Sequence, residues 1–541
     1  MNQVLTRREL LVTIARGVTT STLGGARSPR TGCVTGHPEG AQAGQAILAA
    51  GGNAVDAVVT AALVAGVVAV PMCGIGGYGG HMVIAPGGRH NRAIAIDFNS
   101  AAPQTAQPDM FPLDERGQVR GRIDLHGWRA AGVPGTLAGM QLALDRCGTM
   151  PFSQVVQPAI RYARDGFPVT TAFANATRLA RARLARDPGS ARLLLSNGAP
   201  LRAGSRFRNP DLANLLETLA VNNSVDAFYR GEIAHRIADA FRVHGGMVTA
   251  EDMAAYQARV VEPLPLVWNG LHICTAPLTA GGLTVIEALG ILRSLGWQRH
   301  DPDDPRTTHL RVEALRAAWN DRLRLLGDPQ HANVPADRLL SSDHADQLAA
   351  RALTAVRERR PIPATTDGRT AGGTIHLSAA DDRGTMVALT LTHGESFGAQ
   401  VTVDGLGLVL GHGMSRFNPR PDHPNAPGPG KRPLHNMCPT IVFQDGRAVL
   451  ALGGRGGRRI PNAIFHVLAN YVGRRISAEK AIAAARIHTE GDRRLVVDPH
   501  WPSSVGAYLR RVGYSVVPGP CAVVDAVEID LSSGRCVAVA R

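Results

Sequence analysis

Lysine is almost missing from this chain. Lys431 and Lys480 are the only two among 58 basic residues, so the net charge of +14 rests on arginine. The arginines are scattered, as Arg178, Arg183, Arg192 and Arg208 illustrate, and no dense basic tract appears. A nucleic-acid surface needs clustering, so that class of partner is set aside. Paired cysteines are lacking too. Seven cysteines run from Cys33 to Cys536 without a C-x-x-C pair or metal-ligand spacing, which excludes a disulfide framework and a zinc module. Ordinary buried thiols are expected. An unbroken hydrophobic run is also absent. "AVDAVVTAALVAGVVAVPMC", residues 54–73, is long enough to span a bilayer, but Asp56, Gly66 and Pro71 interrupt it. A buried helix is expected there, and no membrane span.

The remaining composition fits one large core, with 44% apolar residues. At roughly 150 residues per domain the length suggests three or four domains, yet no linker is long enough to separate them. Residues 1–30 stand apart. Arg7 and Arg8 precede Leu10 and Leu11 as in a twin-arginine export signal, whereas Arg16 interrupts the apolar stretch. Export to the periplasm or medium is one reading. A disordered start on a cytoplasmic protein is the other.

Residues 39–50 read as a helix stopped by Gly51-Gly52, and Asn53 caps the next one, with Asp56 at its positive end. "HMVIA" and "AIAIDF" flank a Pro-Gly-Gly turn and read as paired strands. Residues 129–365 are read as mostly helical, 375–410 as strands and 419–433 as a Pro/Gly loop. Strands return in "AVVDAVEID" and "RCVAVA". "GIGGYG", residues 74–79, matches G-x-G-x-x-G, with Asp97 about 20 residues on. A dinucleotide fingerprint follows a strand and opens a helix. Here a helix precedes and a strand follows, so a tight glycine turn is expected and no nicotinamide cofactor.

"AGGTIHLSAADDRGTMVALTLT", residues 371–392, carries the chemistry. Asp382-Arg383-Gly384 suits a three-residue hairpin loop with glycine at positive φ. That loop places Asp381 opposite Thr385 and, followed outward, Thr374 opposite Thr392. A loop of two or four residues would move the match by one. A threonine hydroxyl is a weak nucleophile that needs an adjacent base, and its own terminal amine can serve. An α-amine titrates near pH 8, so part of it is free base at neutral pH. Use of that amine requires a cut between Gly373 and Thr374, and Gly372-Gly373 tolerates the bent backbone such a cut needs. "LGGRGGRRIPNAI" then puts Gly456 and Gly457 before a helix, where free N–H groups can hold an oxyanion. Taken singly, each motif also fits an ordinary glycine turn into a strand or helix.

Together and in order, "ILAAGGNAVDAVVTAALV", "GIGGYGGHMV", "AAGVPGTLAGM", "QPAIRYARDGFPV", "TIHLSAADDRGTMVALTLT", "GLGLVLGHGMSRF", "PLHNMCPTIVF" and "GGRGGRRI" resemble the γ-glutamyltranspeptidase family from about His37 to Ala485. The resemblance implies an α/β (α+β) fold, the four-layer αββα sandwich of N-terminal-nucleophile hydrolases. It implies a proenzyme that cuts itself into a large chain, 31–373, and a small catalytic chain, 374–541, interlaced as one unit. Thr374 matches the nucleophile, Thr392 its supporting threonine, and Gly456 and Gly457 the oxyanion pair. No metal or organic cofactor is implied.

The positions that read the glutamyl group depart from the family. Asn99 stands for the carboxylate-clamping arginine, Gly394 for an asparagine, Gly413 and Arg416 for a glutamine and an aspartate, and His435-Asn436 for a serine pair. Losing each buried charged contact costs roughly 2–5 kcal/mol of recognition. An arginine in place of an aspartate points to an anionic group on the substrate. His435, His393 or His412 would add to that positive field; the alternative is that Arg416 pairs with Asp404 or Glu395. The expectation is a small-molecule, non-glutamyl amide with water or an amine as acceptor. The alternatives are γ-glutamyl chemistry in a rebuilt pocket, or an uncleaved protein that binds a small anion.

Overall fold

The structure, a computed structural model, describes residues 32–363 and 373–541. The twin-arginine stretch and Gly372 lie outside the described residues. The strands that matter are β1 (Cys33–Thr35), β2 (Gly79–Ala85), β3 (Ile94–Asp97), β4 (Arg259–Val261), β5 (Leu264–Trp268), β6 (Leu271–Thr275), β7 (Gly373–Ala380), β8 (Met386–Gly394), β9 (Thr440–Gln444), β10 (Arg447–Arg455), β11 (Val523–Ile529) and β12 (Cys536–Ala540). They form two six-stranded antiparallel sheets, ordered β1-β7-β8-β2-β3-β4 and β12-β11-β10-β9-β6-β5. Helices α1 (Pro38–Ala49) and α2 (Ala54–Val68) cover the first sheet. Helices α3 (Gly282–Ser294), α4 (Pro305–Leu325), α5 (Ser342–Glu358) and α6 (Arg459–Tyr471) build the layer over the second. This is the αββα sandwich.

Alternation along β7 and β8 explains both interfaces. Ile375, Leu377, Val387, Leu389 and Leu391 join α2 in one apolar core. The intervening residues face the other sheet, where Ala380, Met386 and Ala388 pack against Ile441, Phe443, Ala451 and Val527. Toward the far end of the hairpin that inner face turns polar, through Ser378, His376 and Thr390 to Thr374 and Thr392. Removal of one large side chain such as Leu389 from this packing costs about 2–5 kcal/mol.

The expected run 54–73 is a helix from Ala54 to Val68, and all of its residues are buried. Asn53 caps it: its side chain accepts from the N–H groups of Val55 and Asp56, and the Asp56 carboxylate accepts from Asn53 N–H. "GIGGYG" is a turn between that helix and β2. No helix among the described residues is long and apolar enough to cross a membrane.

The stretch 129–365 is mostly helical, as expected; among its described residues are also seven strands, of which β4, β5 and β6 join the two sheets. One expectation is corrected. The cysteines are not all free thiols. Cys33 and Cys536 form a disulfide with Cα atoms 6.1 Å apart. It joins β1 and β12, the edge strands of the two sheets, along one side of the sandwich.

Candidate active site

The hairpin forms in the expected register. Asp381 N–H bonds to Thr385 carbonyl, Gly384 sits at φ 84°, and Ile375 pairs with Leu391. Asp381 fixes the turn: its Oδ1 accepts from the N–H groups of Arg383 and Thr385 at 3.0 and 2.9 Å. Its Oδ2 accepts from Ala54 N–H at the start of α2, which ties the hairpin to the helix beneath it. At the open end the pairing slips by one residue, so that Gly373 faces Gly394 and two residues of β8, Thr392 and His393, bulge opposite Thr374. A bulge re-aims a side chain. Here it leaves the Thr374 and Thr392 hydroxyl oxygens 3.3 Å apart.

Both hydroxyls converge on one atom. Thr374 Oγ1 donates to the Gly373 carbonyl oxygen at 2.6 Å, and Thr392 Oγ1 donates a short hydrogen bond to the same oxygen. Gly394 N–H donates to Thr392 Oγ1 at 2.8 Å and orients it. The nucleophile candidate therefore lies beside the peptide that precedes it, and a second hydroxyl polarises that carbonyl. Below them His376 is locked between Thr390 Oγ1 and Ser378 Oγ, and its ring packs on Gly453 of β10. Burial pushes the His376 imidazole down to about 3, so it is neutral.

Strand β10 crosses the hairpin from the opposite sheet and ends at Arg455, just before Gly456 and Gly457. The carbonyls of this pair accept from Arg459 and Ile460 N–H at the start of α6. Among the described residues neither glycine amide donates a backbone hydrogen bond. Two uncommitted N–H groups at a helix start suit a developing oxyanion.

The remaining expected positions divide. Arg416 and Asn436 line a cavity of about 470 Å³, together with Glu395, which directly follows the last residue of β8. Among the described residues six arginines line it (Arg116, Arg122, Arg322, Arg416, Arg420 and Arg458) against two acids, Asp124 and Glu395. Arg416 pairs with neither acid considered from sequence: Asp404 is engaged by Arg192, and among the described residues Arg416 Nε has no hydrogen-bond partner. Arg322 escaped the sequence reading, because nothing marks one arginine on a long helix. It is buried, its Nη2 donates to His435 carbonyl at 2.6 Å and Asn436 Oδ1 at 3.2 Å, and burial lowers it to about 10.

Asn99 and Gly413 do not line this cavity. Asn99 is fully buried, with Nδ2 donating to Thr279 Oγ1 and Pro433 carbonyl, both at 2.7 Å. Gly413 is packed so closely that a Cβ would stand 2.7 Å from Ser100 Oγ. Gly394 has φ 99°, and a Cβ there would meet the His412 ring at 2.2 Å. The positive field expected of the histidines is corrected. Burial drives His435 and His412 well below the usual imidazole range and His393 to about 3, so all three are neutral near pH 7. The cavity's positive charge comes from arginine.

The sandwich with this hairpin defines the N-terminal-nucleophile hydrolase fold. Residues 40–540 match the profile of the gamma-glutamyltranspeptidase family. The chain is 36% identical to the acylase ACY 1 proenzyme of Pseudomonas sp. (strain V22), over 91% of this chain and 89% of that one. It is 35% identical to the glutathione hydrolase proenzyme of Escherichia coli (strain K12), over 83% and 79%. The cephalosporin acylase of Bacillus halodurans superposes with a TM-score of 0.83 at 25% identity, covering 96% and 97%. The chain belongs to the gamma-glutamyltranspeptidase family, and it is an amidohydrolase or acyltransferase of that family.

Proposed function

We propose that the chain cuts itself between Gly373 and Thr374 and then hydrolyses, or transfers the acyl group of, a non-glutamyl amide that carries an anionic group. The shared contact of Thr374 and Thr392 on the Gly373 carbonyl carries the first half of this reading. Thr374 Oγ adds to the Gly373 carbonyl carbon, the bond to Thr374 nitrogen breaks, and an ester forms. Water hydrolyses that ester, leaving a carboxylate on Gly373 and a free amine on Thr374. The cut separates 31–373 from 374–541, which stay interlaced because β1 and β7 belong to one sheet.

In the mature enzyme the Thr374 amine takes the proton from its own hydroxyl. The oxygen attacks the substrate carbonyl, and Gly456 and Gly457 N–H groups hold the oxyanion. The proton passes to the leaving amine, and water or a second amine releases the acyl group. Arg416 and its arginine neighbours would receive the anionic end, and the acylase relatives support a non-glutamyl acyl group. The 35% identity to a glutathione hydrolase favours a second reading, γ-glutamyl turnover in a rebuilt pocket. The Cys33–Cys536 bond supports export by the Arg7-Arg8 segment, since disulfides persist in oxidising compartments.

Mass spectrometry of purified protein tests the first half: a chain beginning Thr-Ile-His is expected, and a single intact chain overturns it. A panel of dicarboxylic monoamides and γ-glutamyl anilide tests the second. Better turnover of the glutamyl compound would decide for the second reading.

A further inference from the structure

Three helices of the outer layer bring a histidine and two carboxylates to one point. Glu287 lies on α3, Asp321 on α4 and His344 on α5. His344 Nε2 stands 3.1 Å from Asp321 Oδ2 and 3.4 Å from Glu287 Oε1, and one donor atom from each residue lies within 4.8 Å of the others. Ligands held about 2.0–2.2 Å from a tetrahedral ion stand roughly 3.3–3.6 Å apart. The 3.4 Å separation matches that spacing, and the 3.1 Å one needs only a small outward shift from its present hydrogen bond.

A second observation is independent of the clustering. Glu287 is buried, with its side chain 1% exposed, and its Oε2 has no hydrogen-bond partner among the described residues. Neither Glu287 nor Asp321 has a lysine or arginine partner among the described residues, in a chain with 58 basic residues. Among the described residues the imidazole of His344 is the one cationic partner of both carboxylates, and it reaches only Oε1 of Glu287. A buried oxygen without a donor is costly. A divalent ion would engage Glu287 and satisfy all three side chains at once. His344 and Asp321 are 11% and 17% exposed at the side chain, so water reaches the cluster and can fill a fourth position.

We propose that Glu287, Asp321 and His344 bind one divalent transition-metal ion of the Zn2+ type, which staples α3, α4 and α5 together. One imidazole nitrogen and two carboxylate oxygens suit Zn2+. Mg2+ and Ca2+ prefer six or more oxygens and are poorly served. None of the three ligands is among the residues assigned to the threonine chemistry.

The test uses the full chain, stripped with EDTA and dialysed. Zinc is then added back, the excess is removed by dialysis, and the zinc retained is counted by elemental analysis; melting temperatures are read with Zn2+ or Mg2+ added. One zinc per chain is expected, with a rise of about 2–4 °C at zinc near 100 times its Kd and none with Mg2+. In Glu287→Gln and His344→Gln, bound zinc should drop to background and the rise should vanish. Glu287→Gln keeps the side-chain shape, so its melting temperature in EDTA should equal or exceed that of the parent. Parent protein that retains no more zinc than these variants, or melts at the same temperature with and without it, overturns the proposal.

Discussion

The imidazole of His412 fills the space that any side chain at Gly394 would need. The ring is held on both sides, by Glu395 N–H at Nε2 and by the Ser415 hydroxyl at Nδ1. It therefore cannot swing aside cheaply. Gly394→Asn should cost about 1–3 kcal/mol by overpacking, and Gly394→Asn with His412→Gly should recover more than half of that. Urea denaturation midpoints report both. A single variant as stable as the parent would contradict this packing account.

Thr392 should matter for the cut itself. Its hydroxyl donates to the Gly373 carbonyl, where negative charge develops during attack. Removing one such donor costs about 10²–10³ in rate. Thr392→Ala should slow processing by that factor and Thr392→Ser should restore much of it, while Thr374→Ala stays intact. A gel time course after synthesis distinguishes the three.

Arg416 should act on substrates selectively. Losing a charged contact to an anionic group costs about 2–4 kcal/mol, or roughly 30- to 1,000-fold in kcat/KM. Arg416→Ala should show that loss on a dicarboxylic monoamide and change a neutral amide by less than about threefold. Equal losses on both would remove Arg416 from recognition.

Acid should unfold the protein partly through its buried histidines. Burial holds His393 at about 3, against about 6.5 for an exposed imidazole. Above pH 6.5 both states leave it neutral and stability is unaffected. Below that the unfolded chain takes up a proton the folded chain refuses, so stability falls as pH drops toward 3. His393→Leu should flatten the stability curve between pH 6 and 4.5 by about 1.4 kcal/mol per pH unit. Parallel curves for parent and variant would count against the burial account.

Local chemistry was the legible part of this molecule. Asn53, Asp382-Arg383-Gly384 and the alternation on either side dictate a cap, a turn and a register, and the two threonines follow. Strand β5 is masked in sequence by Pro263 and Pro265, since proline is rare inside strands, yet β5 is an edge strand, where a missing N–H costs little. Asn99 and His435 were visible as departures from a pattern. Their burial, which makes one a structural tether and the other a neutral ring, depends on packing partners far along the chain. Arg322 gathers Asn436 and the His435 carbonyl from more than a hundred residues away, and no local spacing reveals that.

The bond between Cys33 and Cys536 spans 503 positions of sequence. Under the proposed cut before Thr374, those two sulfurs would belong to different polypeptides. The mature enzyme would then be a covalent heterodimer that cannot dissociate on dilution. Without reductant it should migrate in a denaturing gel as one species, and with reductant as two.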